Sequence, residues 1–165
     1  MLTEKDYRVD GKIALVLGGA GDIGKAIATS LSAAGAETVI ISSRKQENLD
    51  KAAAEIKDKS KGKVVGIAGH LGKLETIKAL VDAIKKDFGR IDIVVNSSGS
   101  SFMVPLTDVE EWQWDNVMNV NVKGPLRLTF MTLSHCHSST SMRSTMKLEP
   151  EELTRISSFT RSLSL

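Results

Sequence analysis

The stretch of this chain with the most specific chemistry in its residue types and spacing is Gly18-Gly19-Ala20-Gly21-Asp22-Ile23-Gly24. Missing Cβ atoms let a backbone turn tightly and come close to a ligand. A helix opening behind them offers free N–H groups and the positive end of its dipole to an anion. Set between an apolar run and a helical pattern, such a turn holds the pyrophosphate of a dinucleotide. Asp22 is discordant, because a carboxylate repels phosphate. It reads as the N-cap of a helix beginning at Ile23, turned away from the phosphates. About 20 residues further on, NAD-binding proteins place an acid that hydrogen-bonds the ribose 2′-hydroxyl. Here the chain reads Ile40-Ile41-Ser42-Ser43-Arg44-Lys45, with no acid. Ser43 is suited to hydrogen-bond a 2′-phosphate, and Arg44 to pair with that phosphate or stack on the adenine, with Lys45 beside them. The expected cofactor is therefore NADP(H), with NAD(H) the lesser choice.

These residues need strands and helices to hold them, and the pattern supplies both. Lys12 to Leu17 is a short run rich in Ile, Val and Leu that ends in glycines, as a buried parallel strand does. Ile23, Ala26, Ile27, Leu31 and Ala34 recur at helical spacing, and Gly35 closes that helix. Thr38 to Ile41 gives a second strand. A second helix is marked by Leu49, Ala52, Ala53 and Ile56 and ends near Gly62. Val64 to Ala68 gives a third strand, and a third helix carries Leu74, Ile77, Val81, Ile84 and Phe88 and stops at Gly89. Ile91 to Val95 is a fourth strand. Trp112 to Leu133 reads as one long helix, interrupted at Gly124 and Pro125. Strands alternating with helices through short glycine-marked turns make βαβ units, and right-handed crossovers make the parallel sheet doubly wound.

Beyond Leu133 the character changes. Ser134 to Leu165 is crowded with Ser and Thr and shows no fifth strand, although Pro150-Glu151-Glu152 is suited to open a short helix. The expected organisation is a dinucleotide-binding domain over 1–133, truncated after the fourth strand and its long helix. A Ser/Thr-rich tail over 134–165 follows, unrelated in character to what precedes it.

At 165 residues and 41% hydrophobic, the chain can build one core. A net charge of +2, with Lys and Arg interleaved with Glu and Asp as in Glu47/Lys51/Glu55, gives no basic stripe for nucleic acid. Cys136 is the only cysteine, which suits a reducing compartment, and no apolar run approaches a membrane span. A cytoplasmic location is the expectation. His135-Cys136-His137 does not make a metal site, because neighbours on a helix diverge and no further ligand cluster completes the set.

Taken together, residues of about 10 to 131 resemble the short-chain dehydrogenase/reductase family. The family's Thr-Gly-x-x-x-Gly-x-Gly turn is altered, with Leu17 for the Thr and Asp22 for the middle Gly. Gly18, Gly21 and Gly24 match its looser Gly-x-x-Gly-x-x-Gly form. Three further stretches acquire roles through the resemblance. In Gly69-His70-Leu71-Gly72, the place of His70 is usually taken by an Asp that contacts the adenine amino group; a His donates or accepts there, with Leu71 alongside. This stretch and Ser-Ser-Arg-Lys are similar to NADP-dependent carbonyl-reductase-like members. Asn96-Ser97-Ser98-Gly99 resembles Asn-Asn-Ala-Gly, which braces the sheet and lines the cofactor cleft, so Asn96, Ser98 and Gly99 join the cofactor set. Asn119-Val120-Asn121-Val122-Lys123-Gly124 resembles the family's Asn-Val/Leu-x-Gly. Asn121 then takes the place of the catalytic Asn that holds a proton-relay water, with Val120 on the cofactor side.

The family's proton donor is a Tyr with a Lys four residues later, and this chain has no Tyr-x-x-x-Lys. Its one tyrosine, Tyr7, precedes the glycine turn. The resemblance thus implies an oxidoreductase transferring hydride between NADP(H) and a small carbonyl or alcohol substrate, with this chain catalytically incomplete. Two alternatives stand beside it. One is a non-enzymatic, truncated NADP(H)-binding product. The other is a methyltransferase-like α/β domain, which an acid at the end of strand two would favour. Self-association is expected from the fourth strand, whose outer edge lacks a partner.

Overall fold

The computed structural model describes the backbone of residues 7–60 and 62–136, with side chains as far as Leu133. Four strands form one sheet in the order β3-β2-β1-β4: β1 (Ile13–Leu17), β2 (Thr38–Ser43), β3 (Lys63–Ala68) and β4 (Ile93–Asn96). Every pairing is parallel, with Ile13 opposite Thr38, Ala14 opposite Ile93 and Thr38 opposite Lys63. The helices are α1 (Asp22–Ala33), α2 (Gln46–Lys57), α3 (Leu74–Phe88), α4 (Glu111–Met118) and α5 (Gly124–Cys136).

The first two crossovers step outward from β1 to β3, and the third returns across β1 to β4. That reversal makes the sheet doubly wound and puts its topological switch point between β1 and β4, at whose C-terminal ends sheets of this kind bind ligands. Alternate residues of the buried strands feed two cores. Ile13, Leu15, Leu17 and Ile40 pack with Ile77, Leu80 and Ile84 of α3 and Leu128 of α5. Val16, Val39 and Ile41 pack on the other face with Ala28 of α1 and Leu49, Ala52 and Ile56 of α2. β1 is buried at all five positions, as a central parallel strand should be, whereas β4 alternates between half-buried and exposed positions.

The expected helix stops are present at Gly35 and Gly89, whose φ angles of 101° and 75° suit glycine alone. Gly62 is not such a stop. α2 ends at Lys57, and a Cβ on Gly62 would lie 2.5 Å from Ser32 Oγ, so this glycine serves packing against the end of α1. The expected long helix is resolved into three parts. α4 and α5 are joined by a π-helical turn over Asn119–Lys123, ending where Gly124 and Pro125 were expected to interrupt. A proline near the start of α5 has no N–H to give, and the wider turn before it accommodates that loss.

Candidate nucleotide-binding rim

Because all four strands run parallel, their C-terminal ends lie on one rim, and every loop the sequence singled out emerges there. Each loop is tied to the next. The Gly18 and Gly19 N–H groups both donate to Ser42 O, at 2.8 and 3.2 Å, so the glycine turn hangs from the end of β2. Gly69 N–H donates to Ser43 O at 2.9 Å, joining the loops after β2 and β3. Ser97 N–H donates to Leu17 O at 2.9 Å, and a Cβ on Gly18 would lie 2.5 Å from Ser97 O, so the loop after β4 crosses directly over the glycine turn.

The glycines of the turn divide by what surrounds them. Gly18 has φ +75°, Gly19 sits on Ile41 at 2.6 Å from a built Cβ, and Gly24 faces Gly18 O at 2.3 Å. Protein packing explains all three. Gly21 is different: its φ is −83°, it is exposed, and an added Cβ would meet only Gly18 O, at an ordinary 3.4 Å. Nothing in the protein excludes a side chain there, but a side chain would occupy the open space at the N-terminus of α1. The residues present therefore fit a pyrophosphate.

Gly21 is also the N-cap of α1, which corrects the assignment of Asp22 to that role. Asp22 is the first helical residue and makes no capping bond. Its side chain is fully exposed and stands 3.5 Å from Lys25 Nζ, which also bonds Glu55 of α2 at 2.9 Å. These carboxylates hold the Lys25 ammonium above its ordinary pKa, Glu55 most of all. Ile23 is 73% exposed, an apolar side chain left uncovered in the first turn of α1. Ala20 packs inward against the α1/α2 core.

At the end of β2, Ser43 is half-buried, and Arg44 and Lys45 are exposed with no acid in the strand or turn. In the loop after β3, Gly72 N–H donates to His70 Nδ1 at 3.0 Å, and Thr76 Oγ1 bonds both the N–H and the C=O of His70. In the neutral ring the proton then sits on Nε2, so the free nitrogen is a donor. Leu71 turns the other way: it is buried in the α3/α5 core and packs where Gly124 passes, so its side chain contributes packing and not a rim contact. Val120 approaches the same loop, with Cγ2 3.2 Å from a Cβ built on Gly72.

After β4, Asn96 Oδ1 accepts from Ser98 N–H at 3.2 Å, folding the Asn96–Gly99 turn on itself. Asn121, in the π-helical turn, accepts from Ser100 N–H at 2.7 Å and donates to Ser100 O at 2.8 Å. Ser100 Oγ in turn bonds Asn116 of α4 at 2.8 Å. The Asn121 side chain thus pins the β4–α4 loop beside Gly99, whose own Cβ position is open except for Asn121 Oδ1 at 3.8 Å. Asn116 and Ser100 are site-forming residues that motif reading missed. So is Gln46, whose amide meets β3. Trp112 stacks edge-on against Phe102 at 5.1 Å and remains over half exposed.

Tyr7 lies at the far end of the molecule. Val9 N–H bonds Ala34 O beyond the C-terminus of α1, and that helix separates it from the glycine turn by about 18 Å at 1.5 Å per residue. Among the described residues no group of three or more His, Cys, Asp or Glu is placed to hold a metal ion, and no helix is long and apolar enough to cross a membrane. The side chains of His135, Cys136 and His137 lie outside the described residues.

Residues 12–142 match the family model described as short chain dehydrogenase. The chain belongs to that family. It is 39% identical over 129 residues to a Caenorhabditis elegans protein named dehydrogenase/reductase SDR family member 4, covering 78% of this chain and 49% of that one. Among solved structures it is similar to Pseudomonas aeruginosa RhlG in an NADP active-site complex, with TM-score 0.74 and 29% identity, covering 82% of this chain and 52% of that one. A metagenomic short-chain oxidoreductase in complex with NADP aligns with TM-score 0.73 and 30% identity, over 79% of this chain and 58% of its own. The chain spans about half the length of the curated relatives it matches. These matches set aside the methyltransferase-like alternative, and the oxidoreductase family and the doubly wound α/β fold stand.

Proposed function

We propose that this short-chain dehydrogenase chain binds a nicotinamide dinucleotide along the rim, NADP(H) in preference to NAD(H), as half of a site for a small carbonyl or alcohol substrate. The observation that carries the cofactor choice is the end of β2: Arg44 and Lys45 stand exposed beside the glycine turn, with no acid there to repel a 2′-phosphate. Two similar structures are NADP complexes, which supports the same reading. When bound, the nicotinamide supplies the hydride. The chain's own residues bind and orient. The N-terminus of α1 and the open space at Gly21 take the pyrophosphate, Ser43 and Arg44 take the 2′-phosphate, and the His70 Nε2–H offers a donor to the adenine edge. Asn96, Ser98 and Gly99 line the ribose side.

A charge-assisted contact of this kind contributes roughly 1.5–3 kcal/mol, or about ten- to a hundredfold in affinity. Titration calorimetry should show NADPH binding tighter than NADH by about that factor, and Arg44→Ala should remove the preference. Equal affinities in the parent would defeat the assignment.

The position of Tyr7 favours a second element of the proposal, that the 165-residue chain alone does not turn over. An alkoxide formed by hydride transfer needs a positioned acid, a contribution of about 10²–10⁴-fold, and Tyr7 is at the opposite end of α1 from the rim. NADPH oxidation with a panel of aldehydes and ketones should stay at background. Activity that Tyr7→Phe abolishes would show the acid to be misplaced here. On this outcome the chain acts by binding NADP(H), the non-enzymatic reading.

A further inference from the structure

α2 begins without a side-chain N-cap, and its first residue does something else. The Gln46 side-chain carbonyl accepts from Ala68 N–H at 3.1 Å, and its amide donates to Gly66 O at 3.1 Å. Gly66 O and Ala68 N–H flank Ile67 on the side of β3 away from β2. They are the two groups that a neighbouring parallel strand would engage with one residue's N–H and C=O. One primary amide closes the same bridge. A third bond, from Gln46 Nε2 to Asp50 Oδ1 at 2.8 Å, holds the amide one helical turn up. Gly66 makes the approach feasible, since a Cβ there would lie 2.8 Å from Leu49 Cβ.

The consequence falls on two residues. The chain between β2 and α2 is fixed at Ser43, whose C=O accepts from Gly69, and fixed again at Gln46. Only Arg44 and Lys45 lie between these anchors, both exposed. A long cationic side chain on a loose loop loses much of its pairing free energy to ordering, whereas one on a fixed turn does not.

We propose that Gln46 is a positioning residue for 2′-phosphate recognition, its side-chain bridge to β3 holding the Ser43–Lys45 turn so that Arg44 is presented to the phosphate. The proposal rests on the NADP(H) reading above. It predicts that selectivity, rather than nucleotide binding in general, depends on an amide that touches no ligand.

The test uses two probes that differ by the group in question, adenosine 2′,5′-bisphosphate and 5′-AMP, titrated into the full chain. The parent should prefer the bisphosphate. In Gln46→Met, of similar length but without the amide, the preference should fall by about three- to tenfold, the scale of one lost net hydrogen bond. 5′-AMP affinity should stay within about twofold in the same variant, since the glycine turn hangs from Ser42 and not from Gln46. Gln46→Ala should behave alike and serves if the first variant folds poorly. In an Arg44→Ala background, Gln46→Met should change nothing further, because it acts through Arg44. A full preference retained in Gln46→Met, or equal weakening of both probes, overturns the proposal, the latter by showing a merely structural role. A parent that binds 5′-AMP and the bisphosphate equally defeats the cofactor reading itself, and the proposal falls with it.

Discussion

Glycine does two different jobs within seven residues. At Gly18, a positive φ of 75° and the carbonyl of Ser97 at 2.5 Å from any Cβ leave no room for alanine. Gly18→Ala should cost about 2–4 kcal/mol, combining the left-handed backbone penalty with displacement of the loop after β4. At Gly21 the backbone is extended and the space is open, so the chain itself accepts alanine there. Gly21→Ala should lower stability by no more than about 1 kcal/mol, as exchange at an N-cap does, yet weaken NADPH binding by at least about tenfold. Urea melts and calorimetry on the two variants separate these roles. Unimpaired NADPH binding by Gly21→Ala would mean that the open space at Gly21 does not receive the pyrophosphate.

At the scale of elements, the strands and helices that carry the rim were legible because they obey local rules. β-branched runs bounded by glycine became buried parallel strands, and apolar residues three and four apart became the core faces of α1, α2 and α3. What escaped the sequence depends on partners far along the chain. Gln46 looks like a surface polar residue, and the motif that marks Asn121 says nothing of its partner, yet both amides stand in for missing backbone partners 20 and 21 residues away, at Gly66 and Ser100. Leu71 was grouped with the rim by its neighbours in the motif, but its loop turns it into the core under α5. The π-helical turn was foreshadowed only as an interruption. Gly124, which follows it as the first residue of α5, is needed for a tertiary reason, since a Cβ would strike Leu71 O at 2.3 Å. The helix is held tight against the β3–α3 loop there, and the wider turn carries Asn121 to the loop after β4. Asp22 stands one position past the N-cap: with Gly21 free to adopt the extended N-cap backbone, the acid is the first helical residue and joins Lys25.

At the scale of the whole molecule, the two edges of the sheet are unlike. β3 is closed at its middle by the Gln46 amide, which leaves an incoming strand no free groups beside Ile67. β4 pairs with β1 on one side and, among the described residues, with nothing on the other. Its sequence, Ile93-Val94-Val95-Asn96, has none of the devices that guard an edge: no charge, no proline, no positive-φ bulge. Val94 is 37% exposed, and Leu106, Trp112 and Trp114 add exposed apolar surface nearby in the chain. A strand of this kind recruits another, and a second copy is the partner always present at the same concentration. Light scattering of the 165-residue chain should therefore show self-association that grows with concentration. Val94→Lys, which places a charge on the open strand, should reduce it without disturbing the β1 core, because a lysine at a partly exposed site can carry its ammonium out to water. A clean monomer across the concentration range, with a cooperative melt at high temperature, would show the edge to be covered. In a fold whose switch point lies between β1 and β4, whatever seats itself along β4 also stands beside the place where such sheets bind their ligands.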